Sequence, residues 1–364
     1  MGLEERYRRR IDSVRNALRE RGLEALWVEP SVGLFYLTGL EPVSMERLFG
    51  LVVPASGELR LVVPLLLRDE CGHVAAPIVW DDAEGPEEAA RSALKGVSRL
   101  CVQGSLPAWA LFLLQKVCPD LRIEQDPGIL AGLRELKDAG EVELLRKSGA
   151  VTDEVVKWAG TLPLGELTEL ELAGRIQARY LELGYRPTPE PLIASGPNAA
   201  MPHYTGGDVR IRPDRPLLMD FGCAVDGYWS DITRLYFPRE PDPEVKAAYE
   251  LVCEAYDAAF AAIEPGISCE EVDRAARRVI EEAGYGENFL HRTGHGLGLE
   301  MHEPPYIRSG NRRPLEVGHV FSVEPGIYVR GKFGVRYENI VYLGPEGPEP
   351  LNRSPRRHYF RGEV

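Results

Sequence analysis

Tyr7, Ile11, Val14 and Leu18 recur at three- and four-residue spacing among charged neighbours, so residues 3–21 predict an amphipathic helix, which Gly22 ends. Ala25-Leu26-Trp27-Val28 predicts a short strand. Phe35-Tyr36-Leu37-Thr38-Gly39 follows, then a turn-rich loop to Arg47 and apolar runs at 49–54 and 59–67. Helical patterns near 86–96 and over 107–117 alternate with Leu100-Cys101-Val102 and Leu121-Arg122-Ile123, which predicts an α/β domain on a mostly internal sheet. Past residue 133 the texture changes. Long helices are predicted over 138–158 and 166–183, and two more at 242–262 and 268–283, interleaved with strands. A domain boundary is therefore expected there, giving domains 1–133 and 134–364.

The second domain repeats a pattern. A helix ends at Gly184-Tyr185, a loop brings His203, and an apolar run ends at Asp220 before a turn and Asp231. Another helix ends at Gly284-Tyr285, a loop brings His291, and an apolar run ends at Glu324 before a turn and Glu338. Two halves, each offering a hairpin with two carboxylates, would face one site.

The hairpins can be worked out from their turns. Asp226-Gly227 is a strong two-residue turn, and it sets Gly222 opposite Asp231. Asp220 then shares a face with Gly222, two residues on, and becomes a diagonal cross-strand neighbour of Asp231. The missing side chain at Gly222 would leave room for a cation. A turn centred on Gly331 likewise sets Glu324 opposite Glu338. Like charges on one apolar face repel unless a metal or a shared proton offsets them. A pair of solvated surface aspartates is the alternative, and the flanking Leu217-Leu218-Met219 and Ile232 count against it.

Five of the seven histidines, at 203, 291, 295, 302 and 319, lie around these carboxylates. His295, between Gly294 and Gly296, is expected where the backbone bends to face a buried cation. His73, His319 and His358 read as ordinary core or surface residues. Carboxylates with one imidazole suit Mn²⁺, Co²⁺ or Zn²⁺, and a carboxylate-bridged pair of such ions performs hydrolysis. Neither a phosphate-cradling glycine motif nor a Gly-x-Ser-x-Gly nucleophile is present.

Composition narrows the field. The 364 residues, 44% hydrophobic and 27% charged, can build a sizeable core, and a net charge of −13 argues against nucleic-acid or anionic-membrane partners. Arg8-Arg9-Arg10 and Arg356-Arg357 read as solvated faces. No run approaches the roughly 18 apolar residues of a membrane span. The six cysteines lack CxxC spacing and read as free thiols of a reducing compartment, so a cytoplasmic location is expected.

With these residues in view, the chain resembles the pita-bread metallopeptidases, and within them the Xaa-Pro dipeptidase (prolidase) and aminopeptidase P branch. The resemblance is carried by Met-Asp-Phe-Gly at Asp220, Ser-Asp-Ile-Thr-Arg at Asp231, Thr-Gly-His-Gly-Leu-Gly-Leu at His295, Val-Glu-Pro-Gly-Ile-Tyr at Glu324 and Gly-Val-Arg-Tyr-Glu-Asn at Glu338. It implies an α/β (α+β) architecture, with a creatinase-like N-terminal domain before a pita-bread catalytic domain of pseudo-twofold halves. It further implies two divalent ions, Mn²⁺ or Co²⁺ favoured and Zn²⁺ admissible. Asp220 would chelate one, His295 and Glu324 the other, and Asp231 and Glu338 would bridge. Glu324 would serve as general base toward a hydroxide nucleophile. His203, His291 and His302 match substrate-binding and transition-state histidines, and Arg336 an arginine beside the last ligand. The implied substrate is a small peptide with proline second, and the implied assembly a homodimer.

One position departs from this pattern. Some prolidases carry an arginine four residues after the equivalent of His302 to bind the dipeptide carboxylate, and here that position is Tyr306. Arg308, Arg312 or Arg313 could substitute, as could Arg47 in the loop after Thr38-Gly39. Xaa-Pro dipeptidase is the first expectation and an aminopeptidase P acting on longer peptides the second. A creatinase-type amidinohydrolase or a non-catalytic peptide binder is more distant, because all five ligands are intact.

Overall fold

The structure is a computed structural model that describes residues 4–43, 45–238 and 241–359. The chain divides into two compact units, Met1–Arg134 and Glu135–Val364. The first residue of the expected opening helix, Leu3, lies outside the described residues.

In the first unit, α1 (Glu5–Glu20) buries Tyr7, Ile11, Val14 and Leu18 along one stripe, as its spacing requires. The segment around Phe35 is helix α2 (Val32–Thr38), started by the Ser31 hydroxyl and closed by Gly39 at a φ of 75°. The strands are β1 (Ala25–Val28), β2 (Gly50–Pro54), β3 (Arg60–Pro64), β4 (Pro77–Trp80), β5 (Arg99–Val102) and β6 (Arg122–Gln125). They form one mixed sheet in the order β4-β3-β2-β1-β5-β6. All four residues of β1 are buried, as befits a central strand covered on both faces. The apolar run at 59–67 is only partly strand. Past Pro64 the chain enters a 3₁₀ turn, Leu65–Leu67, that leaves Leu65 and Leu66 exposed.

In the second unit, capping boxes start three helices: α3 (Ala139–Ala159) at Asp138, α4 (Glu169–Glu182) at Thr168 and α6 (Cys269–Glu282) at Ser268. Helix α5 (Pro243–Ala262) starts at the Asp242 cap with proline in its first turn. One sheet joins β7 (Leu192–Ser195), β8 (Leu217–Phe221), β9 (Ile232–Phe237) and β10 (Arg357–Tyr359) in the order β10-β9-β8-β7. A second joins β11 (Gly294–Gly296), β12 (Glu303–Ile307), β13 (Val320–Val323), β14 (Asn339–Gly344) and β15 (Gly347–Pro350) in the order β12-β11-β13-β14-β15. β16 (Gly326–Val329) pairs with β17 (Phe333–Arg336) in a two-stranded ribbon.

Alternation along the strands decides which side chains face the centre. Leu217, Met219 and Phe221 of β8 and Ile232 and Tyr236 of β9 pack into one core with α3 and α4. Leu218, Leu235 and Phe237 pack into the other, with α5 and α6. Asp220 and Thr233 therefore point the same way as Leu218 and Leu235, away from the α3–α4 core.

Candidate metal centre

The Asp226-Gly227 turn has φ values of 46° and 86°, both in the left-handed region a two-residue hairpin needs. Ala224 pairs with Trp229 and Val225 with Tyr228 across it, and beyond it Asp220 pairs with Thr233 and Phe221 with Ile232. That single register brings Asp220 and Asp231 together. On the other hairpin, Gly326 pairs with Arg336 and Val329 with Phe333, which centres the turn on Gly331 and places Glu324 and Glu338 just past the ladder. Three groups result, each with ligand atoms within 4.8 Å of one another: Asp220, Asp231 and Glu338; His295, Glu324 and Glu338; and Asp231, His295 and His302. The five expected ligands are thus contiguous. His302 joins them, its ring centroid 3.9 Å from that of His295.

One glycine reading needs correction. Gly222 does not hold space for a cation, because a β-carbon there would lie 1.8 Å from the Ser230 carbonyl oxygen. It lets the two hairpin strands approach. Gly294–Gly296 is strand β11, and its register against β12 shifts between His295 and Gly296, an irregularity at the histidine where a bend was expected. A β-carbon would fall 1.8 Å from Ser322 O at Gly294 and 2.3 Å from Pro304 O at Gly296, so the glycines admit β13 and β12 on either side.

The buried charges are unequally compensated. Arg336 Nη2 donates to Asp220 Oδ2 at 2.5 Å, and its Nε donates to Thr233 Oγ1 at 2.8 Å. The Thr233 hydroxyl donates in turn to Glu338 Oε2 at 2.7 Å. Arg234 Nη1 fixes the Glu338 carbonyl at 2.5 Å, so backbone and side chain of this ligand are both held. Ser322 Oγ accepts from His295 N and donates to Glu324 Oε1, each at 3.0 Å, and His295 Nε2 lies 3.2 Å from the same Oε1. Asp231 Oδ1, by contrast, is buried without a hydrogen-bond partner. Burial and then the neighbouring Glu338 and Asp220 push the Asp231 carboxyl well above its usual range. Burial, Glu324 and Asp220 do the same to Glu338. Burial also opposes ionisation of Glu324, but the hydrogen bond and charge of His295, then His291 and Arg336, hold it below the usual range.

Four carboxylates around one arginine leave excess negative charge, and an orphaned oxygen points into it. The donors are hard oxygens with one imidazole, so the residues fit a pair of divalent cations.

The centre lines a cleft of about 630 Å³ that His203, His291, Arg292, Met301 and His302 also line. His291 has both nitrogens engaged: Nδ1 lies 2.7 Å from Arg292 O and Nε2 2.9 Å from Tyr328 OH. Arg336 Nη1 donates to the same phenol at 2.6 Å. These partners make Nδ1 the protonated nitrogen. Burial lowers the His291 pKa, and burial, His295 and Arg292 bring that of His302 down to about 4.

Tyr306 is half-buried, and the Arg292 guanidinium sits 4.6 Å above its ring. Arg308, Arg312 and Arg313 are not among the cleft residues; Arg308 binds Ser309 O, Arg312 pairs with Glu270 and Arg313 with Glu135. Arg47 belongs to the first unit, where Asp82 and Glu46 hold its guanidinium. The sequence pointed to Arg47 and to the arginines after His302, and not to Arg292. The signal was its place directly after a cleft histidine.

The metallopeptidase family M24 model matches residues 143–345, and the creatinase/prolidase N-terminal domain model matches residues 10–136. The chain belongs to metallopeptidase family M24. It is an M24 enzyme with the pita-bread fold behind a creatinase-type N-terminal domain. This M24 chain is 36% identical over 360 residues to the probable dipeptidase PepE of Mycobacterium tuberculosis, covering 96% of this chain and 95% of that one. The crystal structure of recombinant prolidase from Thermococcus sibiricus matches at a TM-score of 0.94 and 35% identity, covering 98% of this chain and 99% of that one. A dipeptidase from Pyrococcus horikoshii OT3 matches at 0.92 and 35%, covering 96% and 99%.

Proposed function

We propose that the chain is a metal-dependent Xaa-Pro dipeptidase that hydrolyses the bond between a first residue and a C-terminal proline. The observation that carries this is the convergence of four carboxylates and the His295 imidazole, three further histidines and one aromatic-stacked arginine on a single cleft. Asp220, Asp231, His295, Glu324 and Glu338 would hold two divalent ions, and the oxygen-rich set favours Mn²⁺ or Co²⁺, with Zn²⁺ also accommodated. When bound, the ions supply Lewis acidity and lower the pKa of water.

The residues of the chain do the rest. Glu324, its Oε1 held by the Ser322 hydroxyl, takes the proton of the attacking water. The water oxygen joins the carbonyl carbon, the C–N bond breaks, and the proline nitrogen leaves with the proton that Glu324 had taken. His302, neutral at pH 7 and open to the cleft, and His203 hold the substrate through hydrogen bonds. His291, fixed by Tyr328 and the Arg292 carbonyl, shapes the wall beside them. Arg336 keeps Asp220 oriented.

Arg292 distinguishes a dipeptidase from an aminopeptidase on longer peptides. A dipeptide carries its carboxylate one residue past the scissile bond, and a guanidinium preset on Tyr306 meets it with little loss of side-chain freedom. Arg292→Ala is expected to lower kcat/KM for Ala-Pro by roughly 10- to 100-fold, the worth of a hydrogen bond to a charged group. Ala-Pro-Ala, whose carboxylate lies further on, should change little. An equal loss on both peptides would return the choice to aminopeptidase P. Metal-stripped protein should hydrolyse neither peptide until Mn²⁺ or Co²⁺ is restored. All six cysteines are free, which supports a reducing compartment, the cytoplasm. The assembly is proposed as a homodimer on the resemblance, and light scattering tests it.

A further inference from the structure

Glu169 opens helix α4 and is completely buried, yet no cation pairs with it among the described ion pairs. A buried carboxylate is tolerated only when hydrogen bonds satisfy it. The donors here come from one segment. Ser195 N and Asn198 Nδ2 donate to Oε1 at 2.6 and 3.0 Å, and Tyr204 OH donates to Oε2 at 2.8 Å. Asn198 also donates to Oε2 at 3.3 Å and to Tyr204 OH at 3.1 Å, which closes the network. The helix N-terminus adds its own field in favour of the charge.

The segment so held runs past the active-site wall. Pro202, His203, Tyr204 and Thr205 line the cleft that holds the metal ligands. On its other side it presses on β17, where a β-carbon at Gly334 would meet Ala199 O at 1.7 Å. Behind it, Glu169 N bonds Val209 O and Leu170 N bonds Gly207 O, so the start of α4 grips the segment at both ends. His203 itself is exposed, and among the described residues its side chain has no hydrogen-bond partner, so its position follows from its neighbours.

We propose that Glu169 is a positioning residue for substrate binding, its carboxylate acting as the fixed post to which the His203 loop is tied. It touches neither substrate nor ligands. The proposal rests on the dipeptidase reading for the identity of the substrate, while the tie itself is independent of that reading.

The test uses full-length, metal-loaded protein with Glu169→Ala, Glu169→Gln, Tyr204→Phe and the Glu169→Ala/Tyr204→Phe double variant. Losing a hydrogen-bonded charge should raise KM for Ala-Pro about tenfold or more in Glu169→Ala, with a smaller change in kcat. Glu169→Gln, which keeps one acceptor oxygen, should fall between it and wild type. Tyr204→Phe, which leaves the core intact, should raise KM a few-fold alone and add nothing in the double variant. Amide exchange over residues 195–207 should quicken in Glu169→Ala and remain unchanged across α5 and α6. Unchanged KM in Glu169→Ala and Tyr204→Phe with active wild type, additive effects in the double variant, or unchanged exchange over 195–207 would overturn the proposal. Exchange decides the tie even if wild type leaves Ala-Pro intact, a result that would sink the dipeptidase reading alone.

Discussion

Thr233 is the side chain through which the two hairpins communicate, and replacing it by valine isolates that link. The hydroxyl is fully buried, donates to Glu338 Oε2 at 2.7 Å and accepts from Arg336 Nε at 2.8 Å, while Arg336 reaches Asp220 at 2.5 Å. Valine keeps the shape and removes both bonds. Glu338 loses a donor that orients it, and Arg336 retains a buried N–H with nothing to bind. A hydrogen bond to a charged group is worth about 1.5–3 kcal/mol. Partners that orient metal ligands typically alter metal affinity by about 10- to 100-fold, or roughly 1.4–2.7 kcal/mol. The two estimates agree, so the Mn²⁺ dissociation constant should rise about 10- to 100-fold in Thr233→Val. Titration calorimetry of chelator-stripped protein measures it directly, without reference to turnover. Thr233→Ser restores the hydroxyl and should lie close to wild type. If Thr233→Val bound Mn²⁺ within twofold of wild type, with its circular dichroism spectrum unchanged, the hydroxyl would not be orienting Glu338.

Three further outcomes are expected. Asp231→Asn removes one charge from the site of the orphaned oxygen, so metal content by mass spectrometry should drop below two ions per chain and nearly all peptidase activity should vanish; full retention of both would refute the ligand assignment. Lys137 Nζ and Glu303 Oε1 form an ion pair at 2.7 Å with both side chains almost wholly buried. Lys137→Met should cost about 3–5 kcal/mol, which at about 2–4 °C per kcal/mol lowers Tm by roughly 6–20 °C. The Lys137→Met/Glu303→Leu pair should recover most of that loss, and a single-variant shift below about 1 °C would mean the pair carries no weight. His358, stacked on Tyr236 4.7 Å away, has its pKa lowered to about 4 by burial and then by Arg234. The fold binds the neutral ring, so this contribution is intact above the unfolded pKa of about 6.5 and is lost as pH falls from there toward 4. In His358→Phe, denaturant unfolding should therefore show a shallower loss of stability than wild type across that window; identical slopes would contradict the assignment.

The carboxylate pairs were legible because a strand has a period of two and a two-residue turn fixes its register. Once Asp226-Gly227 is the turn, Asp220 and Asp231 must share a face, and the alternation of Leu218 with Leu217 and Met219 decides which face it is. The same local rules explain why the opening helix and the change of texture after residue 133 could be read directly. Local rules were incomplete wherever a residue's role depends on what packs against it. Gly222 suggested space, whereas the Ser230 carbonyl fills it, and the sequence did not show that Ser322 O and Pro304 O approach Gly294 and Gly296.

Pattern by itself paired the carboxylates on two hairpins, while their roles as ligands came from the family resemblance. Which histidine stands beside His295, which arginine lies on Tyr306 and which hydroxyl joins Glu338 to Arg336 were decided only by tertiary packing. The last of these joins residues more than a hundred positions apart, and the free energy that selects all three belongs to the assembled sheets rather than to any one stretch of chain.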